Sequence, residues 1–489
     1  MIVKRQGFYK KKVCSQKFKI LTGLIAIGFV LSGCGLLGGE KSPLDPDSPV
    51  SVTLWHYYSG QTKEKFDELV SEFNDTTGME KGIVIDAQSQ GDVQQLQAAV
   101  FDAANKKIGA QPLPDIFAAY PDNAYRINQL AKLVEIESYF SEDELQAFRQ
   151  DFLDEGRFGD ENKLRIIPVA KSSENLFLNK TFWDDFASET GANLNDLSTW
   201  EAIVQTAESY FNWSGGKAFL GIGSNSNYML LSAVQLGEEM YNYGGDTVKL
   251  NFSKEVAKKI WDNYYIPSIK GYFAKTGRFS SDDAKTGTII AYTGSTAGAS
   301  YFPKEVTLSQ SEVFPIESLT LSYPNFEDGS PTAVQQGAGM SITKSEAAYE
   351  YAAAEFLKWF TNVEQNIRFA VSTAYFPVKK EALKEELILS IIKEGDTVSS
   401  DTVISSIITT LAMLDNYDLY GYKPFEGSVE MRKILEHHLS GKIEKDLERL
   451  SDQTISAEDK ASKIVRLISD ESFVDWYEDF MKEAKAYIE

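Results

Sequence analysis

Apolar positions along the first third of this chain switch between two periods. VSVTLWHYY, residues 50–58, is rich in β-branched and aromatic residues and partly alternates, as a strand does. In the following QTKEKFDELVSEFNDTTG, Phe66, Leu69, Val70 and Phe73 recur at helical spacing on one face, and Gly78 is the expected stop. GIVIDAQSQ, residues 82–90, reads as a second strand. DVQQLQAAVFDAANKK reads as a helix with Val93, Leu96, Val100 and Ala104 inward. PDIFAAY, residues 114–120, and NAYRINQLAKL repeat the alternation once more. Strand–helix–strand–helix order predicts parallel pairing with crossover helices, an α/β sheet. Ligands of such sheets sit beyond the carboxyl ends of the strands. That rule brings Tyr57, Tyr58, Ser59 and Gln90 to one rim, with Gly91, Tyr120, Asp122 and Asn123 beside them.

From 181 to 318 the pattern is more helical and rich in aromatic residues. GTIIAYTGSTAGASYF, residues 287–302, reads as a buried strand, a small-residue turn and the start of a helix. GAGMSITKS, residues 337–345, is a further strand leading into the amphipathic helix EAAYEYAAAEFLKWF, whose apolar edge includes Phe356, Trp359 and Phe360. The C-terminal part is mostly helical, with no tandem repeat.

The first thirty-three residues follow a different pattern. They carry seven Lys and Arg and no acid, then thirteen apolar residues, ILTGLIAIGFVLS. Spanning a bilayer takes about 20 residues, so this segment reads as an export signal rather than an anchor. Leu31-Ser32-Gly33-Cys34 resembles the bacterial lipoprotein signal, in which the cysteine becomes the lipid-bearing first residue of the mature chain. Segment 35–49, punctuated by Pro43, Pro46 and Pro49, is the expected tether. Cys14 would leave with the signal, so the mature chain would have one cysteine, no internal disulfide and no thiol chemistry.

About 440 further residues exceed one ordinary core and predict two domains or lobes. Removing the seven leader cations from 49 leaves 42 basic against 71 acidic residues, a formal net charge of −29. Nucleic acid and anionic lipid surfaces are poor partners for such a protein.

Six segments, met in order between 50 and 441, resemble the family 1 extracellular solute-binding proteins of sugar-type ABC importers. They are VTLWHYYSG, PDIFAAYPDNAYRINQLAKLVEI, LRIIPVAKSSENLFLNKTFW, GTIIAYTGSTAG, GAGMSITKSEAAYEYAAAEFLKWFTNVEQNIRFAVSTAYFPVKK and YKPFEGSVEMRKILEHHLSG. The resemblance implies a type II periplasmic-binding-protein fold: two α/β lobes, discontinuous in sequence, joined by hinge crossings. The first lobe would comprise 50–168 plus 322–372, the second 169–321 plus 373–489. It further implies a monomeric, lipid-anchored receptor outside the cytoplasmic membrane, facing the periplasm or exterior. Such a receptor captures a mono- or oligosaccharide between the lobes and hands it to the permease subunits of an ABC importer. It needs no cofactor and breaks no bond.

Sugars present flat C–H faces and rims of hydroxyls, so a site needs aromatic faces and planar polar groups. Stacking candidates are Tyr57, Tyr58, Tyr120 and Tyr292, then Tyr375, Tyr422 and Phe425. Hydrogen-bonding candidates are Gln90, Asp122 and Asn123, then Ser172, Ser173, Glu174 and Gln336. Thr293, Gly294 and Ser295 match the family's small-residue turn. Gly91, Gly294 and Gly337 would let backbone N–H groups approach a ligand. Three other readings stay open. A glycerol phosphate ester would suit the same fold and would want Lys171, Arg278 or Lys379. A glycoside-acting enzyme would need two paired carboxylates, and no spacing isolates a pair. Metal capture has only His56, His437 and His438, the last two adjacent on one expected helix.

Overall fold

The computed structural model describes residues 43–489 except 160, 245–246, 310, 395–399, 453, 455 and 489. The expected export signal and Cys34 lie outside the described residues. The chain begins with β1 (Val50–His56), α1 (Gly60–Phe73), β2 (Ile83–Ser89), α2 (Val93–Ala104), β3 (Ile116–Ala119) and α3 (Pro121–Leu130). It continues through β4 (Glu174–Asn179), α4 (Lys180–Thr190), α5 (Trp200–Trp213), β5 (Leu220–Ile222), α6 (Asn225–Gln235), β6 (Ala291–Ser295) and β7 (Ser318–Leu321). It then returns with β8 (Gly339–Ile342), α7 (Ala347–Phe360) and α8 (Val363–Thr373). The chain closes with α9 (Asp401–Asn416), α10 (Ser428–Leu450) and α11 (Asp470–Ile488).

Two four-stranded sheets result, in the orders β8-β3-β1-β2 and β7-β4-β6-β5. The first is parallel across β1, β2 and β3, as the alternating pattern predicts, but β8 joins β3 antiparallel. The second is mixed: β4 runs antiparallel to both β6 and β7, while β6 runs parallel to β5. All six residues of β4 are buried, so helices or loops cover both of its faces. Leu176 and Leu178 join Trp183, Phe186 and Trp200 on one side, and Phe177 meets Tyr292 and Phe302 on the other. The molecule is therefore a two-lobed α/β protein.

The first lobe's core is aromatic. Phe66 of α1 meets Phe360 of α7 at 5.4 Å between ring centroids, and Phe360 meets Phe369 of α8 at 5.1 Å. Trp359 is buried on the same helix, as its position on the apolar edge predicts. Helix α1 does not stop at Gly78. It widens into a π turn at Asn74–Gly78 and runs on to Lys81, ending at Gly82 in the left-handed conformation, φ +72°. Gly78 serves packing instead: a Cβ there would lie 2.7 Å from the Ile83 carbonyl oxygen.

Behind the second sheet, α11 lays Phe473, Trp476 and Phe480 against the helical layer. Trp476 meets Trp261 at 5.4 Å and Phe480 meets Phe252 at 5.3 Å. Trp476 also donates to His438 Nδ1 of α10 at 3.0 Å. Among the described residues, no helix is long and apolar enough to cross a membrane.

Three segments cross between the sheets side by side. Lys171 and Phe376 exchange two backbone hydrogen bonds of 3.0 and 2.8 Å, and Ser172 and Gln336 exchange two of 2.9 and 2.8 Å. Asn366 of α8 ties two crossings together, donating to the Val169 carbonyl and accepting from the Val378 N–H. Segment 322–334 packs with the second sheet's helices: Asn325 N donates to Ser198 O, and Gln235 of α6 donates to Thr332 O.

His56, at the end of β1, is fully buried, and its Nδ1 accepts from the Tyr58 N–H at 3.1 Å. Burial lowers its pKa to about 4. The unfolded imidazole titrates near 6.5, so the neutral form's stabilisation is complete above that pH and is lost as pH falls towards 4. About 3 kcal/mol should disappear across that window. H56N, which keeps an acceptor for Tyr58 N–H, should show a flatter stability profile between pH 6.5 and 4 in urea titrations. An unchanged profile would place the acid sensitivity elsewhere.

Candidate functional site

The candidate site is built where strand ends of both sheets meet the three crossings. Tyr57 follows β1 and Tyr120 follows β3, so parallel pairing brings them together: their rings lie 6.5 Å apart and within 25° of parallel. Tyr375 comes from a crossing and is hydrogen-bonded to Tyr57. All three are partly exposed, and burial raises the pKa of each hydroxyl, so these are neutral phenols throughout the physiological range. Gln90 is held at the same rim by its backbone bond to His56 O, with exposed Gly91 beside it at φ +94°. Ser59 is exposed and precedes α1.

Asp122 and Asn123 occupy the first turn of α3 and are buried. Asp122 Oδ1 accepts from the Asn123 N–H at 2.8 Å, and its second oxygen faces Arg432 of α10 at 3.7 Å. Arg432 lies 6.0 Å from the Tyr120 ring centroid and 4.9 Å from that of Tyr422. It thus links the rim of the first sheet to the helix backing the second. A groove of about 540 Å³ runs between these elements, lined by Tyr125 and Arg126 on one side and by Phe425 and Ser428 on the other.

On the second sheet, Ser172, Ser173 and Glu174 lead into β4, and Thr293, Gly294 and Ser295 end β6. The antiparallel register sets Ser295 opposite Glu174. Gln336 joins them through its backbone pair with Ser172. Asn227, in the first turn of α6, donates to Glu174 Oε1 at 2.7 Å and to Gln336 Oε1 at 3.3 Å. Several buried polar atoms here find no protein partner among the described residues: Ser173 Oγ, Glu174 Oε2, Thr293 Oγ1 and Gln336 Nε2, with Asn123 Nδ2 on the first lobe. Orphaned polar atoms are costly in a packed core. Others occur elsewhere, such as Trp261 Nε1 and Thr320 Oγ1, but these five gather on segments that border the junction, where another molecule can bond them.

Three of the helix N-termini at this junction already hold carboxylates; that of α1, behind Ser59, does not. Asp92 caps α2 and Asp122 lies in the first turn of α3. At α6, Glu436 of α10 accepts from the Ser226 N–H at 2.9 Å and from the Ser224 hydroxyl.

Other sequence candidates turn out to be core. Tyr58 is buried among His56, Phe66 and Phe369. Tyr292 packs between Phe177 and Phe302. Tyr422 donates to Ser428 O within the second lobe, whereas Phe425 packs on Tyr241 and keeps an edge on the groove described above. Lys171, a candidate partner for a phosphate ester, is buried and paired with Glu155, whose Oε2 also accepts from Gln335 Nε2 at 3.0 Å. Arg278 lies 5.2 Å from the Phe279 ring centroid, and burial lowers the pKa of Lys379. His56 is enclosed, His437 is exposed and His438 is held by Trp476, so the three do not converge.

Sequence reasoning missed Asn227, Arg432 and Glu436. A signal existed for the last two: in GSVEMRKILEHH, Met431 and Leu435 form the buried stripe, and Arg432 and Glu436 form a polar stripe one residue further on. A groove of about 920 Å³ lies between α10 and α11, away from this junction. Its charges are largely paired with one another, Lys442 and Arg449 both bonding Asp446.

A two-lobed α/β fold with a polar junction between sheets joined by three crossings is the frame of a solute-binding protein. Residues 68–391 match the model of the bacterial extracellular solute-binding proteins, and the chain belongs to that family. No curated protein matches the sequence. Solved structures share the fold. The cyclic α-maltosyl-1,6-maltose binding protein of Arthrobacter globiformis is 17% identical, with 86% of this chain and 98% of that one aligned at a TM-score of 0.62. The acarbose-binding GacH receptor of Streptomyces glaucescens is 12% identical, covering 88% and 98% at 0.61. UgpB of Mycobacterium tuberculosis, solved with glycerophosphocholine, is 15% identical, covering 88% and 99% at 0.62.

Proposed function

We propose that the chain is the sugar-capturing receptor of an ABC importer, exported and held at the membrane by lipid on Cys34. It acts as a monomer by binding alone, without catalysis and without nucleic acid. The lobes exchange chain at 168–173, 335–338 and 374–378, and closure brings Tyr57, Tyr120 and Asp122 towards Glu174, Thr293 and Gln336. A solute touching both lobes favours the closed arrangement, because only there are all its contacts made.

Similar folds bind oligosaccharides in two of the structures above and a phosphodiester in the third, so fold alone does not select the ligand. One observation favours the sugar. Helix N-termini are where a phosphate would sit, and at this junction Asp92, Asp122 and Glu436 already occupy those of α2, α3 and α6, while that of α1 carries no acid. The cations nearby are committed as well, Arg432 facing Asp122 and Lys171 paired with Glu155. A neutral polyol needs neither group and matches the tyrosine faces and orphaned amides and hydroxyls.

Residues 35–489 should gain thermal stability with at least one of maltotriose, mannotriose and xylotriose. A larger shift with glycerophosphocholine than with every sugar would overturn the choice of ligand. With a sugar that binds, Y57A and Y120A should each weaken affinity about tenfold in calorimetry, through loss of a stacking face. Unchanged affinity in both would remove the tyrosine pair from the site.

A further inference from the structure

The second lobe carries one acid that the fold has buried without completing its bonds. Glu174 is 2% exposed, at the end of β4 nearest the crossings. Its Oε1 accepts from Asn227 Nδ2 at 2.7 Å. The same amide donates to Gln336 Oε1 at 3.3 Å, which fixes how the Gln336 amide is turned. With its oxygen towards Asn227, its Nε2 points elsewhere, and that nitrogen is buried without a protein partner among the described residues. Glu174 Oε2 is in the same condition. One amide therefore holds an open acceptor and an open donor side by side on neighbouring segments.

We propose that Glu174 and Gln336, positioned by Asn227, form a donor–acceptor pair that reads ligand hydroxyls: Glu174 Oε2 accepts an O–H and Gln336 Nε2 donates to a hydroxyl oxygen. This rests on the sugar reading above and extends it, by naming the residues that select a hydroxyl-bearing ligand over an anionic one. A phosphate oxygen has no proton to give Glu174, and it would meet the field of a second acid, Glu436 of α10. An alcohol satisfies both groups at once.

The ionisable neighbours of Glu174 come from three elements: Glu436 on α10, Lys275 in the loop ahead of β6, and Tyr323 beyond β7. Burial raises the Glu174 pKa to about 7; the Asn227 hydrogen bond opposes this, Glu436 adds to it and Lys275 opposes it. With Oε1 held by the Asn227 amide, the neutral acid carries its proton on Oε2, which then cannot accept as the carboxylate does, and an ionised acceptor binds a hydroxyl more strongly than a neutral one. Ligand affinity should therefore rise about tenfold from pH 6 to pH 8, as the free protein's acid loses its proton.

The test is calorimetry with maltotriose, mannotriose and xylotriose across that pH range, on the wild-type chain and on E174Q and Q336E. For whichever sugar binds, E174Q should lose about tenfold in affinity at pH 8 and lose the pH dependence. Q336E, at a partly exposed position, should weaken binding while keeping a pH dependence. Thermal midpoints without ligand establish that both variants are folded. Wild-type affinity flat with pH, or E174Q matching wild type in affinity and slope, would overturn the donor–acceptor pair while leaving the sugar reading intact. Wild-type protein that binds none of maltotriose, mannotriose and xylotriose, whether or not it binds glycerophosphocholine, would overturn both.

Discussion

Replacing Lys171 with methionine should cost about 3–5 kcal/mol of folding stability, the range for breaking a buried ion pair from one side. Lys171 and Glu155 are both nearly inaccessible, with side chains 3% and 6% exposed. Removing the ammonium leaves a carboxylate in a site walled by Phe152 and roofed by the crossing backbone, with only the Gln335 amide to bond it. The loss should be visible as a lower urea midpoint. The double variant K171M/E155Q should recover most of it, since the amide of E155Q can still accept from Gln335 and no charge is stranded. Equal losses in the single and double variants would mean that Lys171 contributes through its packing alone.

A second large effect is expected at Gly337. Its φ is +100°, a region that L side chains rarely adopt, and an added Cβ would lie 2.6 Å from the Ala170 carbonyl oxygen and 3.1 Å from the Lys171 Cα. Both neighbours are backbone of the adjacent crossing, so neither can rotate away. G337A should therefore prise apart the Ser172–Gln336 pairing and lose about 3 kcal/mol from backbone strain and clash together. It should also weaken ligand binding, because Gln336 would move with the crossing. The control is G298A: nothing lies within 4 Å of that position, and its stability should be unchanged. A G337A chain as stable as G298A would show that the crossings are looser than their hydrogen bonds imply.

Both positions lie in a region that the sequence disclosed unevenly. Periodicity was enough for the first sheet, because strands and helices alternate there with short connections and clear inward faces such as Phe66, Leu69, Val70 and Phe73. The antiparallel entry of β8 was not legible, since strand direction follows from where the chain has been in between. Gly78 misled for a related reason: a glycine needed for close approach to Ile83 looks the same in sequence as one that ends a helix. In the site, Tyr57, Tyr120, Asp122, Thr293 and Gln336 could be picked out as polar or aromatic groups beside strand ends. Tyr58, Tyr292 and Tyr422 share that description and lie in the core, because which face of a loop turns inward depends on distant partners such as Phe369 and Tyr241. The Lys171–Glu155 pair was equally hidden. Sixteen residues separate the two in sequence, and nothing local says that both charges are enclosed.

The last helix has a consequence for how the binding apparatus is bounded. Besides Trp476 on His438, α11 brings the Tyr487 carbonyl against Gly427, so close that a Cβ there would lie 2.4 Å away. Gly427 is the residue from which α10 starts, and α10 delivers Arg432 and Glu436 to the junction between the lobes. Helix α11 thus acts as a splint for the helix that carries Arg432 and Glu436. A chain cut before Asp470 would keep every residue assigned to the junction and still lose the bracing that aims two of them.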